Sequence, residues 1–208
     1  MAQKSTTNAE AARFARRSAT AEQILDLAET FIQTRSYSAF SYQDIADELG
    51  IKKASIHYHF ASKAELGVAV IERYTQRIES ALDEMGKDQS KSSVEMLDFY
   101  ARPYLAFAKT PNRICLSGAL AGEMMALPPE IREKVNEFFK SHQAWLAAIL
   151  DRGVARKEFK LKTSTTRMAR LIFNALQGSL LVKRTTGEIS QVKDVIALLK
   201  SQLSGAER

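Results

Sequence analysis

The sequence predicts an all-α protein, a small N-terminal helix-turn-helix domain of three helices followed by a larger C-terminal helical domain. Three observations carry that prediction. Residues 41–66, SYQDIADELGIKKASIHYHFASKAEL, read as two short capped helices that meet at a glycine. Beyond them, apolar residues recur at the 3.6-residue helical period in segment after segment. The 208 residues, 45% of them hydrophobic, can also bury the core that one small and one larger domain require. The expected divisions are an arm over 1–19, the helix-turn-helix domain over 20–66 and a body over 67–208.

In order along the chain, residues 1–20 carry Lys4, Arg13, Arg16 and Arg17 against Glu10, a net of +3, among many Ala, Ser and Thr. That composition predicts a flexible basic arm. Thr20 with Gln23 then starts a first helix. Its Ile24, Leu27, Ala28, Phe31 and Ile32 fall at i, i+3, i+4, i+7 and i+8, one face that can pack over the next two helices.

Ser41 caps the second helix, with Asp44 in the capping-box position and Phe40 and Ile45 as a hydrophobic staple. Gly50 stands where the turn needs a residue that tolerates φ > 0. The third helix, about Lys52 to Phe60, turns Ile56 and Phe60 inward and Lys53, Ala54, His57 and Tyr58 outward. The outward set has the chemistry of a DNA major-groove reader. Lys53 can donate to guanine O6 and N7, Ala54 can meet a thymine methyl, and Ser55, His57 and Tyr58 can bond phosphates or bases. Ser41, Tyr42, Lys52 and His59 complete the expected contact set. Ser62 and Glu65 form a further capping box. It puts Lys63 in the first turn of a fourth helix, where backbone N–H groups and the ammonium can grip one phosphate.

Charge follows the same layout. Residues 21–50 carry Arg35 against Glu22, Asp26, Glu29, Asp44, Asp47 and Glu48, a net of −5, and residues 51–63 return to +3 through Lys52, Lys53 and Lys63. Positive charge therefore gathers on the arm and the third helix, within an overall net charge of +6. Arg16 and Arg17 can reach a minor groove or remain a solvated tail.

Gly50, Ile51, Ala54, Ser55, Ile56, His59, Phe60, Ser62, Lys63 and Leu66 follow, in that order, a pattern close to G-[VI]-x-x-[GA]-[ST]-[LI]-Y-x-[HY]-F-x-[SN]-K-x-x-L. The chain thereby resembles the TetR-type transcriptional regulators over roughly residues 20–70. Farther on, the helical layout and the segment ALQGSLLVKR look similar. The resemblance implies a dimeric regulator, usually a repressor, with a DNA-binding head and an effector-binding body. One position departs: the family tyrosine that contacts the DNA backbone is His57 here, with Tyr58 beside it, so either ring can take that contact.

The body continues as helices. The fourth, about Lys63 to Met85, keeps Ile71, Tyr74, Ile78 and Leu82 on one stripe and joins head to body. After a polar break at 86–93, a fifth runs to about Lys109 with Pro103 inside it, which should bend it near Phe99. A sixth is expected from near Asn112 to Met125. The seventh begins at Pro128 and Pro129 and ends before Gly153. The eighth, Met168 to Val182, is apolar nearly all round, more than one core face can absorb. Leu171, Ala175, Gly178, Ser179 and Val182 on it, with Val192, Ile196 and Leu199 on a ninth helix, are the expected two-fold dimer interface.

Between the middle helices, Tyr100, Tyr104, Phe107, Met124, Phe138, His142, Trp145, Phe173 and Gln177 are candidates to line an effector cavity, though the same residues can simply fill a core. Three histidines and a single cysteine show no metal-ligand spacing, and no cofactor is expected. No nucleophile and base constellation or glycine-rich phosphate loop points to an enzyme. No apolar run approaches the roughly 18 residues that span a bilayer, and no signal-peptide segment is evident. The lone thiol, Cys115, also fits a reducing cytoplasm. Two functional readings follow. In one, a regulator binds a palindromic operator in double-stranded DNA as a homodimer and is released by a small hydrophobic effector. In the other, the regulator has no such ligand and is switched by a protein partner or by modification of Cys115. A wide cavity favours the first; a packed body with an exposed Cys115 favours the second.

Overall fold

Residues 19–203 are described by the computed structural model, and no strand occurs among them. Helices α1 (Ala19–Arg35), α2 (Tyr42–Leu49) and α3 (Lys53–His59) form the head. The long α4 (Lys63–Lys87) runs from beneath it into the body, where α5 (Ser93–Lys109), α6 (Leu116–Ala121), α7 (Pro129–Ala155), α8 (Thr165–Thr186) and α9 (Ser190–Leu203) follow. A single 3-10 turn, Met124–Ala126, separates α6 from α7. No helix among the described residues is long and apolar enough to cross a membrane.

Packing is organised around α4, α7 and α8: α7 lies against both others, and α9 closes over α8. Ile24, Leu25, Ile32, Ile45, Ile56 and Leu66 form the fully buried centre of the head, and Phe138, Phe173, Met96, Ile114 and Leu116 that of the body. Each of those large side chains contributes about 1.5–3 kcal/mol relative to exposure.

Several boundaries differ from expectation, each for a local reason. Thr20 lies within α1 rather than capping it. The sixth helix is reduced to Leu116–Ala121, because Asn112 has φ 56° in the turn before it and the chain after it is drawn to the head by Glu123. Gly153 does not end α7. It is a packing position, since a Cβ there would lie 2.1 Å from the Phe159 ring. The true stop of α8 is Gly187, left-handed at φ 79°, five residues beyond the last apolar side chain expected in it.

Candidate nucleic-acid interface and body cavity

The turn between α2 and α3 is fixed from both sides. Ser41 Oγ accepts from the Gln43 and Asp44 amides at 3.2 and 3.5 Å, while Asp44 Oδ2 accepts from the Ser41 amide and hydroxyl at 2.7 and 2.6 Å. Those bonds from Ser41 hold the Asp44 carboxyl below its usual range. At the other end Gly50 takes φ 65°, and the Ile51 amide reaches back to the Ala46 carbonyl at 3.0 Å. This closure aims α3 away from the core along one edge.

On α3, Ile56 and Phe60 are buried, whereas Lys53, Ala54, His57 and Tyr58 share an exposed face. Tyr58 is 85% exposed, far more than a ring needed for packing. His57 rests edge-on against Tyr42 at 4.8 Å with Nδ1 3.4 Å from the Ala61 carbonyl, and Tyr58 lies edge-on to His59 at 5.0 Å. Lys52 is exposed at the N-cap; Ser55 and His59 are half-buried. Of the two rings that can take the backbone contact, His57 is engaged by Tyr42 and the Ala61 carbonyl, whereas Tyr58 touches neither.

Two expected contacts are corrected. Tyr42 is buried, and its hydroxyl donates to the Phe60 carbonyl at 2.9 Å, so it holds α2 to the end of α3 rather than facing DNA. The Lys63 ammonium donates to the Phe40 carbonyl and lies over the Tyr37 and Phe40 rings at 4.6 and 4.4 Å. Burial lowers its pKa. It ties α4 to the α1–α2 connection and leaves only the first-turn amides of α4 for a phosphate. Ser41 is exposed but its hydroxyl is engaged in the cap, and Arg16 and Arg17 lie outside the described residues.

In the body, a cavity of about 190 Å³ opens between α4, α5 and α7. Tyr100, Tyr104, Phe107, Phe138 and His142 line it as expected. Trp145, Phe173 and Gln177 do not; they form the layer behind. Trp145 stacks on Tyr100 at 5.6 Å and donates to the Leu82 carbonyl at 3.1 Å, Phe173 meets the His142 ring at 6.1 Å, and Gln177 donates to the Tyr104 hydroxyl at 3.2 Å. Met124 is on the 3-10 turn and is no part of the wall. The wall residues missed are Tyr74, Arg77, Ile78, Ala81 and Leu82 of α4, Phe99 and Pro103 of α5, and Cys115. The stripe of Tyr74, Ile78 and Leu82 was a usable signal, read only as a link between domains. Arg77, a charged residue beside it, gave none.

Polar groups in the wall are few. His142 Nδ1 is 2.9 Å from the Tyr100 hydroxyl, its Nε2 has no hydrogen-bond partner among the described residues, and burial depresses the ring's pKa to about 4, so it is neutral. Cys115 is buried, not exposed, with Sγ 3.5 Å from both the Tyr74 hydroxyl and Gln177 Nε2.

Head and body are latched by pairs far apart in sequence. Glu29 of α1, almost fully buried, accepts from Arg77 at 2.8 Å and Arg73 at 3.3 Å, with Arg113 at 4.0 Å. Arg73 also reaches Glu22 and Asp26. Glu123 accepts from the Tyr37 and Ser38 amides at 2.7 and 2.9 Å, and Arg184 of α8 donates to the Thr34 carbonyl at 2.9 Å.

On the outer side of α8, Leu171, Leu181 and Val182 are exposed with Leu198 of α9, and around a Cβ placed on Gly178 there is nothing within 4 Å. Ala175 is half-buried on the same strip. Ser179 and Val192 instead face the chain's own core, with the Ser179 hydroxyl on the Leu176 carbonyl at 2.8 Å, and Ile196 and Leu199 pack toward Leu97 and Tyr100. α8 carries apolar side chains on both its buried and its exposed sides, in keeping with a sequence apolar nearly all round; which of those sides the ninth helix covers was not readable.

Comparison with known proteins agrees with this architecture. Residues 24–70 match the family model described as bacterial regulatory proteins, tetR family, and residues 94–199 match the tetracyclin repressor-like C-terminal domain. An uncharacterized HTH-type transcriptional regulator in the lacX 3′ region of Lactococcus lactis subsp. lactis is 28% identical over 186 residues, 88% of this chain and 92% of that protein. The biofilm operon icaADBC HTH-type negative transcriptional regulator IcaR of Staphylococcus aureus (strain Newman) is 26% identical over 136 residues, 57% of this chain and 68% of that one. The crystal structure of a TetR transcriptional regulator from Legionella pneumophila superposes with a TM-score of 0.82 at 33% identity, covering 90% of this chain and 99% of that one. Each of these relatives is described as a transcriptional regulator.

Proposed function

The chain belongs to the TetR family of bacterial regulatory proteins and is a DNA-binding transcriptional regulator; from that premise we propose that it is a repressor which binds an inverted-repeat operator as a two-fold dimer and is released by a small apolar effector. The observation that carries the effector part is α4. Its first turn is tied by Lys63 to the head, and its middle supplies Tyr74, Arg77, Ile78, Ala81 and Leu82 to the cavity wall. A ligand that shifts α4 therefore moves the head. Release requires the ligand to prefer the DNA-incompetent arrangement, and a hundredfold preference is worth about 2.7 kcal/mol.

The exposed face of Lys53, Ala54, His57 and Tyr58 supports major-groove reading, and the apolar strip on α8 supports dimerisation. Repression follows the relative described as a negative regulator. Selection of bound fragments from a random DNA pool tests the reading. It should return an inverted repeat with half-site centres about 34–36 Å apart, or a multiple of a helical turn. A single half-site would sink the dimer, and sequences with no shared motif would sink specific reading by α3.

Modification of Cys115 is a second reading with one observation behind it: the Sγ is part of the cavity wall, so an adduct there would act where the effector does. Its burial weighs against it as a freely accessible sensor.

A further inference from the structure

Charge around the cavity is one-sided. Among the described residues Arg77 is the only charged one in its wall, and with a side chain 55% exposed it stands between the interior and solvent. Two more guanidiniums lie over rings of the same wall, Arg113 over Phe107 and Arg102 over Phe99, each at 5.8 Å. Among the described residues no Asp or Glu lines the cavity. The carboxylate that meets Arg77 is Glu29, at 2.8 Å, and Glu29 belongs to the head. Inside, the wall is aromatic, with the neutral His142 and its unpartnered Nε2 as a further polar feature. A volume of about 190 Å³ suits one substituted ring or a short acyl chain, since an apolar cavity of about 150 Å³ holds benzene. A neutral ligand of that size makes no use of Arg77, whereas a carboxylate takes a guanidinium through two parallel hydrogen bonds.

We propose, on the premise that the cavity is an effector site, that its ligand is a small aromatic or short-chain apolar carboxylate whose acid group takes Arg77 from Glu29, and that this exchange loosens α1 from α4. Both terminal nitrogens of Arg77 donate to Glu29, at 3.4 and 2.8 Å, so an acid that takes the same two nitrogens displaces it. When the ligand holds Arg77, Glu29 loses its shortest ion pair, and the ion pairs left between α1 and α4 are those of Arg73. Because α1 packs on α2 and α3, the change is transmitted to the reading helix. The coupling is reciprocal: operator should weaken acid binding by the factor by which acid weakens operator binding.

Trp145, the only tryptophan in the chain, stacks on the wall residue Tyr100 and reports occupancy by its fluorescence. The full chain is titrated with matched acid and amide pairs: benzoate and benzamide, phenylacetate and phenylacetamide, hexanoate and hexanamide. At least one acid should bind tenfold or more tighter than its amide. In Arg77→Gln that preference should fall below twofold, with amide binding unchanged as the sign of an intact cavity. Glu29→Gln should shift acid binding the other way, to higher affinity, because the competitor is gone; a merely structural Glu29 would not do so. Arg77→Lys, which keeps the charge but not the fork, should retain part of the preference and serves if Arg77→Gln does not fold. Amides that bind as well as their acids overturn the carboxylate class and leave the effector site standing. Binding by neither class overturns both.

Discussion

The Tyr42 hydroxyl donates to the Phe60 carbonyl at 2.9 Å, joining the first turn of α2 to the residue that ends α3. Tyr42→Phe removes that buried hydrogen bond, so it should cost about 0.5–1.5 kcal/mol of stability in a urea titration. Sequence preference should not change, since Tyr42 does not face DNA. Tyr58→Ala should do the reverse. Its ring is 85% exposed, so the melt should be nearly unaffected while affinity for the selected operator falls by about 1–3 kcal/mol, unevenly across base positions. A stability loss for Tyr58→Ala comparable to that of Tyr42→Phe would place the ring in packing instead.

What could be read from the sequence was local. Ser41, Asp44 and Gly50 signal helix ends within a few residues, and the boundaries they imply hold. The aromatic residues of α5 and α7 were legible as cavity candidates because they recur on apolar faces, and Tyr100, Tyr104, Phe107, Phe138 and His142 do line it. The latch was not legible. Arg73 and Glu22 are 51 residues apart, Tyr37 and Glu123 are 86, and Thr34 and Arg184 are 150; no periodicity links such pairs. Lys63 misled for a related reason: a lysine in a first helical turn predicts a phosphate contact unless the fold brings two rings and a carbonyl to it.

Lys53 and Lys63 should therefore separate in one experiment. Lys63→Ala removes an ammonium bonded to the Phe40 carbonyl and stacked on two rings, so it should lower stability by about 1–2 kcal/mol and leave the salt dependence of DNA binding alone. Lys53→Ala should leave stability within about 0.5 kcal/mol and weaken DNA binding. The check is operator affinity at several salt concentrations beside a denaturant melt. A log–log salt slope reduced by about 0.9 in Lys63→Ala would return its ammonium to the phosphate.

Two glycines distinguish packing within the chain from packing between copies. A Cβ on Gly67 would lie 2.5 Å from Ile131 Cδ1 and 2.9 Å from the Tyr37 ring, so Gly67→Ala should cost about 1–3 kcal/mol by forcing those side chains apart. Gly178 has open space, so Gly178→Leu should leave the folded chain as stable as before and act only between copies. Sedimentation should then show a monomer where wild type is a dimer, with operator affinity lost because the two half-site contacts are no longer joined. A wild-type monomer at micromolar concentration would end the dimer reading.

His142 gives the protein an acid-side weakness whose sign follows from burial. Its folded pKa, about 4, lies below the unfolded value of 6.5, so below pH 6.5 the unfolded chain takes a proton that the fold excludes. The stability present above pH 6.5 is lost as pH falls toward 4. By linkage the loss from this group between pH 7 and pH 5 should be about 2 kcal/mol. His142→Leu removes the titration, and although the Tyr100 hydroxyl then loses its bond to the imidazole, the difference between pH 7 and pH 5 should shrink. Equal pH dependence in both chains, followed by chemical denaturation, would mean that the ring is protonated within the fold.

Cys115→Ser decides between the two ways of switching. The thiol is buried, and its neighbours at 3.5 Å are the Tyr74 hydroxyl and Gln177 Nε2, groups that can meet a serine hydroxyl as readily as a sulfur. If the sulfur is only wall, the variant should fold, bind operator as wild type does and keep its response to a carboxylate ligand, with ligand affinity changed by less than about 1 kcal/mol. The response to thiol-modifying compounds should then be no greater in wild type than in the variant. If instead the release of operator by such compounds disappears in Cys115→Ser while the carboxylates never release it, the sulfur is the sensor. The volume beside it would then serve to admit the reagent, not to hold a reversible ligand.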